Sequence, residues 1–256
     1  MFKRESILFS FFLLLAILPF QLSAQGDWFQ IGLDIDGEVA QDRSGSAIDM
    51  SADGNYVVIG AELNDDAAID AGHARVFENS AGTWVQLGGD IDGIGADDRI
   101  GSSVSISDDG TTVAVRAKNN DDTGANAAEV RVFQLSAGVW TQIGGDINGE
   151  AAGDLFGISV DLNEDGTVLV AGGERNDEAG IDAGHARVYE FSGGVWTQIG
   201  SDIDGELAYD WSGSGVSINN AGDRVAIGAR RNDGGGSSSG HVRVFENSGE
   251  VWVPKV

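Results

Sequence analysis

The stretch 154-DLFGISVDLNEDGTVLVAGG-173 contains two apolar segments separated by an acidic loop. Apolar and β-branched residues on both sides of an Asp-Gly pair predict two antiparallel strands joined by a tight turn. Oxygen-bearing side chains at alternate positions of "DLNEDG" would also suit a cation such as Ca²⁺. The stretch therefore predicts a β-hairpin and leaves two readings of its loop, a turn or a calcium site.

The hairpin belongs to a repeat. A tryptophan recurs at one constant spacing, at Trp28, Trp84, Trp140, Trp196 and Trp252. "DIDG"-type turns, Asn-Asp pairs and single arginines recur in the same register. Self-similarity at a fixed period is the signature of a repeat architecture. The chain therefore divides into units 28–83, 84–139, 140–195 and 196–251, with the start of a fifth unit at 252–256.

Each unit predicts four short strands, lettered A to D. In the first presumed blade these are 46–51, 56–61, 73–78 and a strand from Trp84, where the next unit begins. Strand B is apolar on both faces in every unit, which requires cover on both sides of its sheet. The pattern predicts an all-β fold, a β-propeller or propeller-like arc of four 56-residue, four-stranded antiparallel blades. A β-solenoid and a string of independent domains are the alternatives, and single units of this size bury too little apolar surface to fold alone.

The two ends of the repeat do not decide whether the blades close into a ring. The strand at Trp28 would complete the fourth blade, and the "VWVPKV" tail around Trp252 competes for the same place. Two readings follow from this, a four-bladed ring with a redundant end or a piece of a longer array.

Residues 1–24 predict a secretory signal peptide. Lys3 and Arg4 precede an apolar run from Ile7 to Phe20, and Ala24 stands at the expected cleavage site. No later segment approaches the roughly 20 apolar residues of a membrane span. The prediction is a secreted or cell-surface repeat domain over residues 25–256, with no membrane span in the mature chain.

The composition excludes several classes of partner and chemistry. The mature chain would carry 13 basic and 40 acidic side chains and a formal charge of −27. Such a surface repels nucleic acid and anionic membranes, so no nucleic-acid partner is expected. The chain has no cysteine, which excludes disulfides and a thiol nucleophile.

The third unit resembles a known family. Phe156-Gly157, "SVDLNEDG", "VLVAGG" and "AGHARVYE" resemble the FG-GAP repeats of integrin α-subunit propellers and of secreted bacterial proteins. The other units have Ser44, Ile100 and Ser212 where that family has phenylalanine. The units are also similar to "WTQIGxDIDGExAxD" repeats of exported bacterial surface proteins. The resemblance implies a propeller that serves in adhesion, in ligand binding or beside an enzyme.

The resemblance also implies a calcium loop between strands A and B. Asp161, Asn163 and Asp165 fill its first three ligand positions, but Leu169 stands where the last carboxylate is expected. The other units offer fewer oxygens, so Ca²⁺ at the third unit is the one cofactor prediction, weighed against the turn that Asp-Gly favours on its own. The "DIDGE" turns form a second acidic set, read as weak calcium sites or as solvated turns; the fourth unit carries Asp202, Asp204, Glu206 and Asp210.

Two further repeated positions are predicted to be structural. Four of the 13 basic residues occupy one position of strand C: Arg75, Arg131, Arg187 and Arg243. We expect them to pair with a repeated acid, the set Asp42, Asp98, Asp154 and Asp210. The histidines His73, His185 and His241 share another position of strand C, and we expect strand residues rather than one metal centre, because they fall on different blades.

Tyr209 and Trp211 interrupt the repeat and form the candidate ligand-binding pair, for an extracellular protein or a glycan. No His-Glu-x-x-His motif or phosphate loop occurs in the sequence. The functional prediction is therefore an exported, non-enzymatic module for adhesion, ligand binding or cell-surface assembly. The alternative is an accessory domain of a larger secreted hydrolase.

Overall fold

A computed structural model describes residues 28–121 and 123–255 of the chain. The signal peptide predicted at residues 1–24 lies outside them. The chain divides into two compact units, Met1–Ile31 and Gly32–Val256. In the first, residues 28–31 are described and form no strand, and Trp28 is fully exposed. In the described part of the chain, no helix is long and apolar enough to cross a membrane.

The first sheet of the second unit confirms the predicted strands A to D. Its strands are β1 (Ala47–Met50), β2 (Tyr56–Ala61), β3 (His73–Ser80) and β4 (Thr83–Gln86), hydrogen-bonded in that order, with a short β5 (Ile91–Asp92) against β3. All pairs are antiparallel. Strand A follows the turn at Gly45, which has a φ of 88° that glycine adopts without strain.

The other three sheets repeat this arrangement. The second contains β6 (Ile100–Ile106), β7 (Thr112–Ala117), β8 (Glu129–Ser136), β9 (Val139–Gln142) and β10 (Ile147–Asn148). The third contains β11 (Phe156–Leu162), β12 (Val168–Gly173), β13 (His185–Ser192), β14 (Val195–Gln198) and β15 (Ile203–Asp204). The fourth contains β16 (Ser212–Ile218), β17 (Arg224–Ala229), β18 (His241–Asn247) and β19 (Trp252–Pro254). The fold is thus the predicted set of four-stranded propeller blades.

The core lies between successive blades. Val58 and Val76 of the first blade pack with Ile100 and Val104 of the second, and the later junctions repeat this arrangement. Strand B is therefore covered on both sides in the first three blades, as predicted. In the fourth blade, β17 alternates between exposed or half-buried and buried positions, because no further blade covers it.

The repeated tryptophans join consecutive blades. The indole N–H of Trp140 donates to Leu87 O at 2.8 Å, and that of Trp196 donates to Ile143 O at 3.1 Å. Trp252 makes the same bond to Ile199 O at 2.8 Å and is 9% exposed. The tail strand β19 pairs with β18, so Trp252 occupies the outer place in the fourth blade.

Candidate functional site

The acidic loop of the third blade forms a tight turn between β11 and β12. Gly166 donates its backbone N–H to Asn163 O at 3.0 Å. Asn163 Oδ1 accepts the backbone N–H groups of Thr167 and Val168 at 2.9 and 2.8 Å. Asp165 Oδ1 also accepts the Thr167 N–H, at 3.1 Å. Side chains that accept backbone N–H groups in this way stabilise a turn without an ion.

Asp161, the first predicted calcium ligand, joins two blades instead. Its carboxylate accepts the backbone N–H of Ile218 at 2.8 Å and the hydroxyl of Ser217 at 3.0 Å. Burial raises the pKa of Asp161, against the lowering effect of these two bonds. Calcium binding at Asp161, Asn163 and Asp165 stays a prediction, and the contacts of all three residues favour the turn.

The predicted ligand-binding pair lies at a strained turn before β16. Tyr209 and Trp211 have φ values of 67° and 57°, and Tyr209 is 53% exposed. Arg231 lies over the Trp211 ring at 3.6 Å from its centroid, and Arg230 lies at 4.6 Å. A sugar that stacked on the face of Trp211 that Arg231 covers would have to displace this arginine. Ligand binding by this pair stays a prediction.

The strand-C arginines are paired, but the predicted partners are wrong. Each of the four aspartates instead accepts a backbone N–H from its own turn, from Val39 to Asp42, Gly95 to Asp98, Ala151 to Asp154 and Leu207 to Asp210. Three of them also accept the amide of the repeated asparagine, Asn64, Asn176 or Asn232, at 2.9 to 3.2 Å. These aspartates are therefore satisfied by the loop on their own side of the sheet.

The arginines contact the "DIDGE" turns. Arg75 Nη1 lies 3.4 Å from Glu38, and Arg131 Nε lies 3.4 Å from Asp146. Arg187 Nε donates to Asp202 at 3.0 Å and also pairs with Glu150. Arg243 donates to the backbone oxygen of Asp204. The second acidic set is thus bound to strand C by arginine.

A histidine and three carboxylates converge at one end of the first blade. The β2–β3 loop carries Asp66, β3 begins at His73, and the segments before β1 and after β4 carry Glu38 and Asp90. His73 Nδ1 lies 3.8 Å from Glu38 Oε2 and 4.0 Å from Asp90 Oδ2. One ligand atom from each of the four residues lies within 4.8 Å of the others. We call this set the first-blade cluster.

The third blade carries the same residue types at the same positions. Glu150, His185 and Asp202 place ligand atoms within 4.8 Å of one another, and so do Glu178, Asp202 and Asp204. His185 Nδ1 lies 3.1 Å from Asp202 Oδ2. A cavity of about 300 Å³ lies beside the acids of this third-blade cluster. Arg187 pairs with two of its carboxylates, Glu150 and Asp202, whereas Arg75 pairs with Glu38 alone in the first-blade cluster.

The second and fourth blades lack the set. Ile94 and Glu129 occupy the Glu38 and His73 positions in the second blade, and Glu129 pairs with Arg131. Among the described residues, the fourth blade offers His241 with Glu206 at 3.8 Å, and Gly234 stands at the Asp66 position. The two complete clusters therefore alternate with two incomplete positions.

The histidines of the complete clusters are buried without a hydrogen bond at Nδ1. The side chains of His73 and His185 are each 1% exposed. Neither Nδ1 atom meets hydrogen-bond geometry with a described residue, although Asp202 Oδ2 lies 3.1 Å from that of His185 and the acids nearest that of His73 lie at 3.8 and 4.0 Å. Buried polar atoms normally have a partner, so the two rings present an unused donor or acceptor to the carboxylates.

The acids of the two clusters differ in their electrostatics. Burial and the charge of Asp90 raise the pKa of Asp92, which follows Asp90 on β5. Burial would also raise the pKa of Asp202, but contacts with His185, Gln198 and Arg187 outweigh it and hold that pKa well below its usual range. Asp202 is thus paired directly with Arg187, whereas Arg75 approaches only Glu38 in the first-blade cluster.

The first-blade cluster has the chemistry of a divalent-cation site. Two ligands that are each about 2.1 Å from one ion lie about 3 to 4.2 Å apart, which brackets the separations of His73 Nδ1 from Glu38 and Asp90. An imidazole nitrogen with carboxylates suits Zn²⁺ or Mn²⁺ better than Ca²⁺, which prefers oxygen alone. Gln86 orients Asp90 by donating to Oδ1 at 2.6 Å, which leaves Oδ2 toward the histidine.

Sequence reasoning missed both clusters because it asked whether the histidines meet one another. Each histidine instead meets acids of its own blade. A signal was present in the sequence, because Glu38 and Asp90 flank His73 at the same spacings at which Glu150 and Asp202 flank His185. The second unit lacks the glutamate and the histidine together. The joint absence of the glutamate and the histidine from one unit indicates that the two side chains belong to the same site.

Comparisons with known proteins find similarity in structure alone. No family model matches the sequence, and no curated protein matches it. A putative 6-phosphogluconolactonase from Bacteroides uniformis is 14% identical with a TM-score of 0.52, covering 82% of this chain and 52% of that one. The periplasmic gluconolactonase of Pseudomonas aeruginosa is 14% identical with a TM-score of 0.55, covering 83% and 56%. KlAtg21, solved with the coiled coil of AgAtg16, is 11% identical with a TM-score of 0.56, covering 82% and 56%.

These structures confirm the propeller fold and correct the functional prediction. The chain spans about half the length of each. The predicted non-enzymatic module for adhesion, ligand binding or surface assembly is contradicted, because the similar propellers include a putative 6-phosphogluconolactonase and a periplasmic gluconolactonase. At this identity the likeness supports the fold alone, so it assigns no activity and does not exclude one. The FG-GAP resemblance stays a prediction, since none of the three is described as an FG-GAP protein.

Proposed function

We propose that this chain is a metal-binding β-propeller that holds a divalent transition-metal ion, Zn²⁺ or Mn²⁺, at the first-blade cluster. One observation carries the proposal: a buried histidine with an unpartnered Nδ1 stands beside three carboxylates at ligand spacing, and the third blade repeats the set. A bound ion would accept the Nδ1 lone pair of His73 and offset the repulsion among Glu38, Asp66 and Asp90.

The third-blade cluster is the weaker site in this proposal. Arg187 already neutralises Glu150 and Asp202, and a cation there would compete with a guanidinium at 3.0 Å. Arg75 leaves the first-blade cluster more open, because its Nη2 donates to Asp36 O at 2.8 Å and only Nη1 approaches Glu38. We therefore expect one tight ion per chain and weaker binding in the third blade.

Calorimetric titration of metal-free protein with ZnCl₂, MnCl₂ and CaCl₂ tests the proposal. Asp66→Asn removes an exposed ligand and should weaken Zn²⁺ or Mn²⁺ binding by about tenfold or more. His73→Gln should weaken it further, with circular dichroism to verify that the buried substitution leaves the fold intact. His241→Gln is the matched control, because that histidine lies in a blade without the set. Equal affinity in the wild type, Asp66→Asn and His73→Gln would refute the site.

A hydrolytic use of the ion is the second candidate. Glu38 and Asp66 are exposed, so an ion bound beside them would keep positions open to water, and a metal-bound water loses its proton near neutral pH. The two lactonases among the similar propellers suggest glucono-1,5-lactone as the first substrate to assay. Hydrolysis that requires added Zn²⁺ or Mn²⁺ and is lost in Asp66→Asn would support catalysis. Metal binding without such hydrolysis would leave a non-catalytic ion.

A further inference from the structure

The fourth blade exposes a face that is buried in the other three. Val242 is 67% exposed and Val244 is 40% exposed. The residues at the Val242 position of the other blades, Ala74, Val130 and Ala186, are fully buried. Those at the Val244 position, Val76, Val132 and Val188, are at most 1% exposed. The uncovered face thus keeps the apolar residues of a blade junction.

The first blade exposes the opposite half of such a junction. Ile48 is 68% exposed and Met50 is 52% exposed. At the Met50 position, Ile106, Leu162 and Ile218 are 4 to 9% exposed because they pack on the preceding blade. The two ends of the array therefore carry complementary halves of one repeated interface.

The glycines at which two blades meet have equivalents in the first and fourth blades that contact no neighbouring blade among the described residues. A Cβ on Gly172 would lie 2.0 Å from Gly213 O of the next blade, so two backbones touch there. The corresponding residues at the ends are Gly228 and Gly45. A Cβ on Gly228 would meet Gly215 O of its own blade at 3.5 Å, and one on Gly45 would meet nothing within 4 Å. Gly45 and Gly228 thus keep glycine, which allows two backbones to approach closely, although no neighbouring blade contacts them among the described residues.

We infer that a second copy of this chain docks its first blade on the fourth blade, and that the reciprocal contact closes a ring of eight blades. Propellers contain four to eight blades, so a ring of two copies lies within the known range. A head-to-tail contact between the fourth blade of one chain and the first blade of the other closes the ring when the second chain makes the same contact in return. Such closure gives a discrete dimer rather than a filament. The chain covers 52 to 56% of the similar propellers, so two copies match a complete propeller in size.

Charges around the inner end of the blades favour this occupant. One repeat position alternates acid and base: Glu62 pairs with Lys118 at 3.7 Å, and Glu174 pairs with Arg230 at 2.9 Å. If the first blade of the partner subunit follows the fourth blade, the same repeat position places Arg230 beside Glu62 of the partner subunit. The alternation is preserved only when an even number of blades closes the ring.

A second row on the inner strands alternates in the same way. Asp49, Ser105, Asp161 and Ser217 occupy one repeat position. The hydroxyls of Ser105 and Ser217 both donate to Asp161, at 3.4 and 3.0 Å. In the ring, Ser217 would lie beside Asp49 of the partner subunit, as Ser105 lies beside Asp161. Both polar rows thus match a second copy at the position where the apolar faces meet.

Sedimentation velocity of the purified protein tests the ring. The wild type should sediment with the mass of two chains, and Val242→Asp and Ile48→Asp should each sediment as one chain. Both residues are two-thirds exposed in the isolated chain, so neither change disturbs the fold. Val195→Asp, at an outer-strand residue that is 55% exposed, is the matched control and should stay dimeric. A wild type that is a single chain at every concentration, or that forms open-ended polymers, would overturn the inference.

Directed cross-linking identifies the contact independently. The chain has no cysteine, so Ser217→Cys with Asp49→Cys adds the only thiols. Oxidation should link two chains covalently in high yield. At the equivalent junctions within one chain, the side-chain oxygens of Ser105 and Ser217 lie within 3.4 Å of those of Asp161. Ser217→Cys with Thr83→Cys is the control and should stay uncoupled. A dimeric wild type whose Ser217→Cys/Asp49→Cys variant does not cross-link would place the interface elsewhere and refute the ring.

Discussion

Substitution of Gly172 by alanine should separate the third and fourth blades. The added Cβ would lie 2.0 Å from Gly213 O and 2.8 Å from its carbonyl carbon, where contact normally begins near 3.4 Å. Both partners are backbone atoms of packed strands, so no side-chain rotation relieves the clash. Overpacking of this kind costs about 3 kcal/mol, at the upper end of its usual range. For a domain of this size, that free energy lowers the melting temperature by about 6 to 12 °C.

Differential scanning calorimetry measures this effect against a matched control. Gly145 lies in an exposed turn, a Cβ there would meet nothing within 4 Å, and its φ is not in the left-handed region. Gly145→Ala should therefore melt within about 2 °C of the wild type. Equal melting temperatures for Gly172→Ala and Gly145→Ala would show that the blades do not meet at this glycine pair. The close backbone contact derived for this junction, and for its equivalent between Gly60 and Gly101, would then be wrong.

The remaining predictions concern single polar contacts. Asp202→Asn should lower the free energy of unfolding by about 2 kcal/mol at pH 7, because it removes one of the two carboxylates that pair with the buried Arg187. The folded pKa of Asp202 is depressed, so the stabilisation is complete above the unfolded pKa of about 3.9 and is lost as the pH falls toward the folded value. Urea titrations should show a constant difference from wild type between pH 8 and 5 and a smaller one at pH 3, and a difference that already falls between pH 7 and 5 would contradict this. Asn163→Ala should lower the free energy of unfolding by about 2 kcal/mol, because it removes the acceptor of two backbone N–H groups. The loss should be equal with EDTA and with millimolar CaCl₂, and a loss seen only with calcium present would make the loop a calcium site.

The fold was predictable because the repeat expresses it four times. Strand B in each unit is apolar at consecutive positions, and a turn glycine precedes it in every copy, after an aspartate in the first three units, as in Asp165-Gly166. The short apolar runs of a single unit do not distinguish a strand from a buried helix segment by their periodicity. The constant spacing of the tryptophans also predicted which residues would lie at equivalent places in neighbouring blades.

The cluster was harder to predict because its members are far apart in sequence. Glu38 and Asp90 lie in different turns on either side of His73, and they meet it only when β5 pairs with the start of β3. The burial of His73 also depends on the loops that cover that end of the blade. Pairing of the arginines was mispredicted for a related reason: Asp42 and Glu38 belong to the same short segment, and only its turn decides which one reaches Arg75.

The most direct test of the metal site is anomalous diffraction from crystals grown with MnCl₂ or ZnCl₂. We expect an anomalous peak about 2.1 Å from His73 Nδ1, with Glu38 and Asp90 oxygens in its coordination shell. An ordered first blade with no peak at His73, under conditions that saturate the protein in solution, would contradict it.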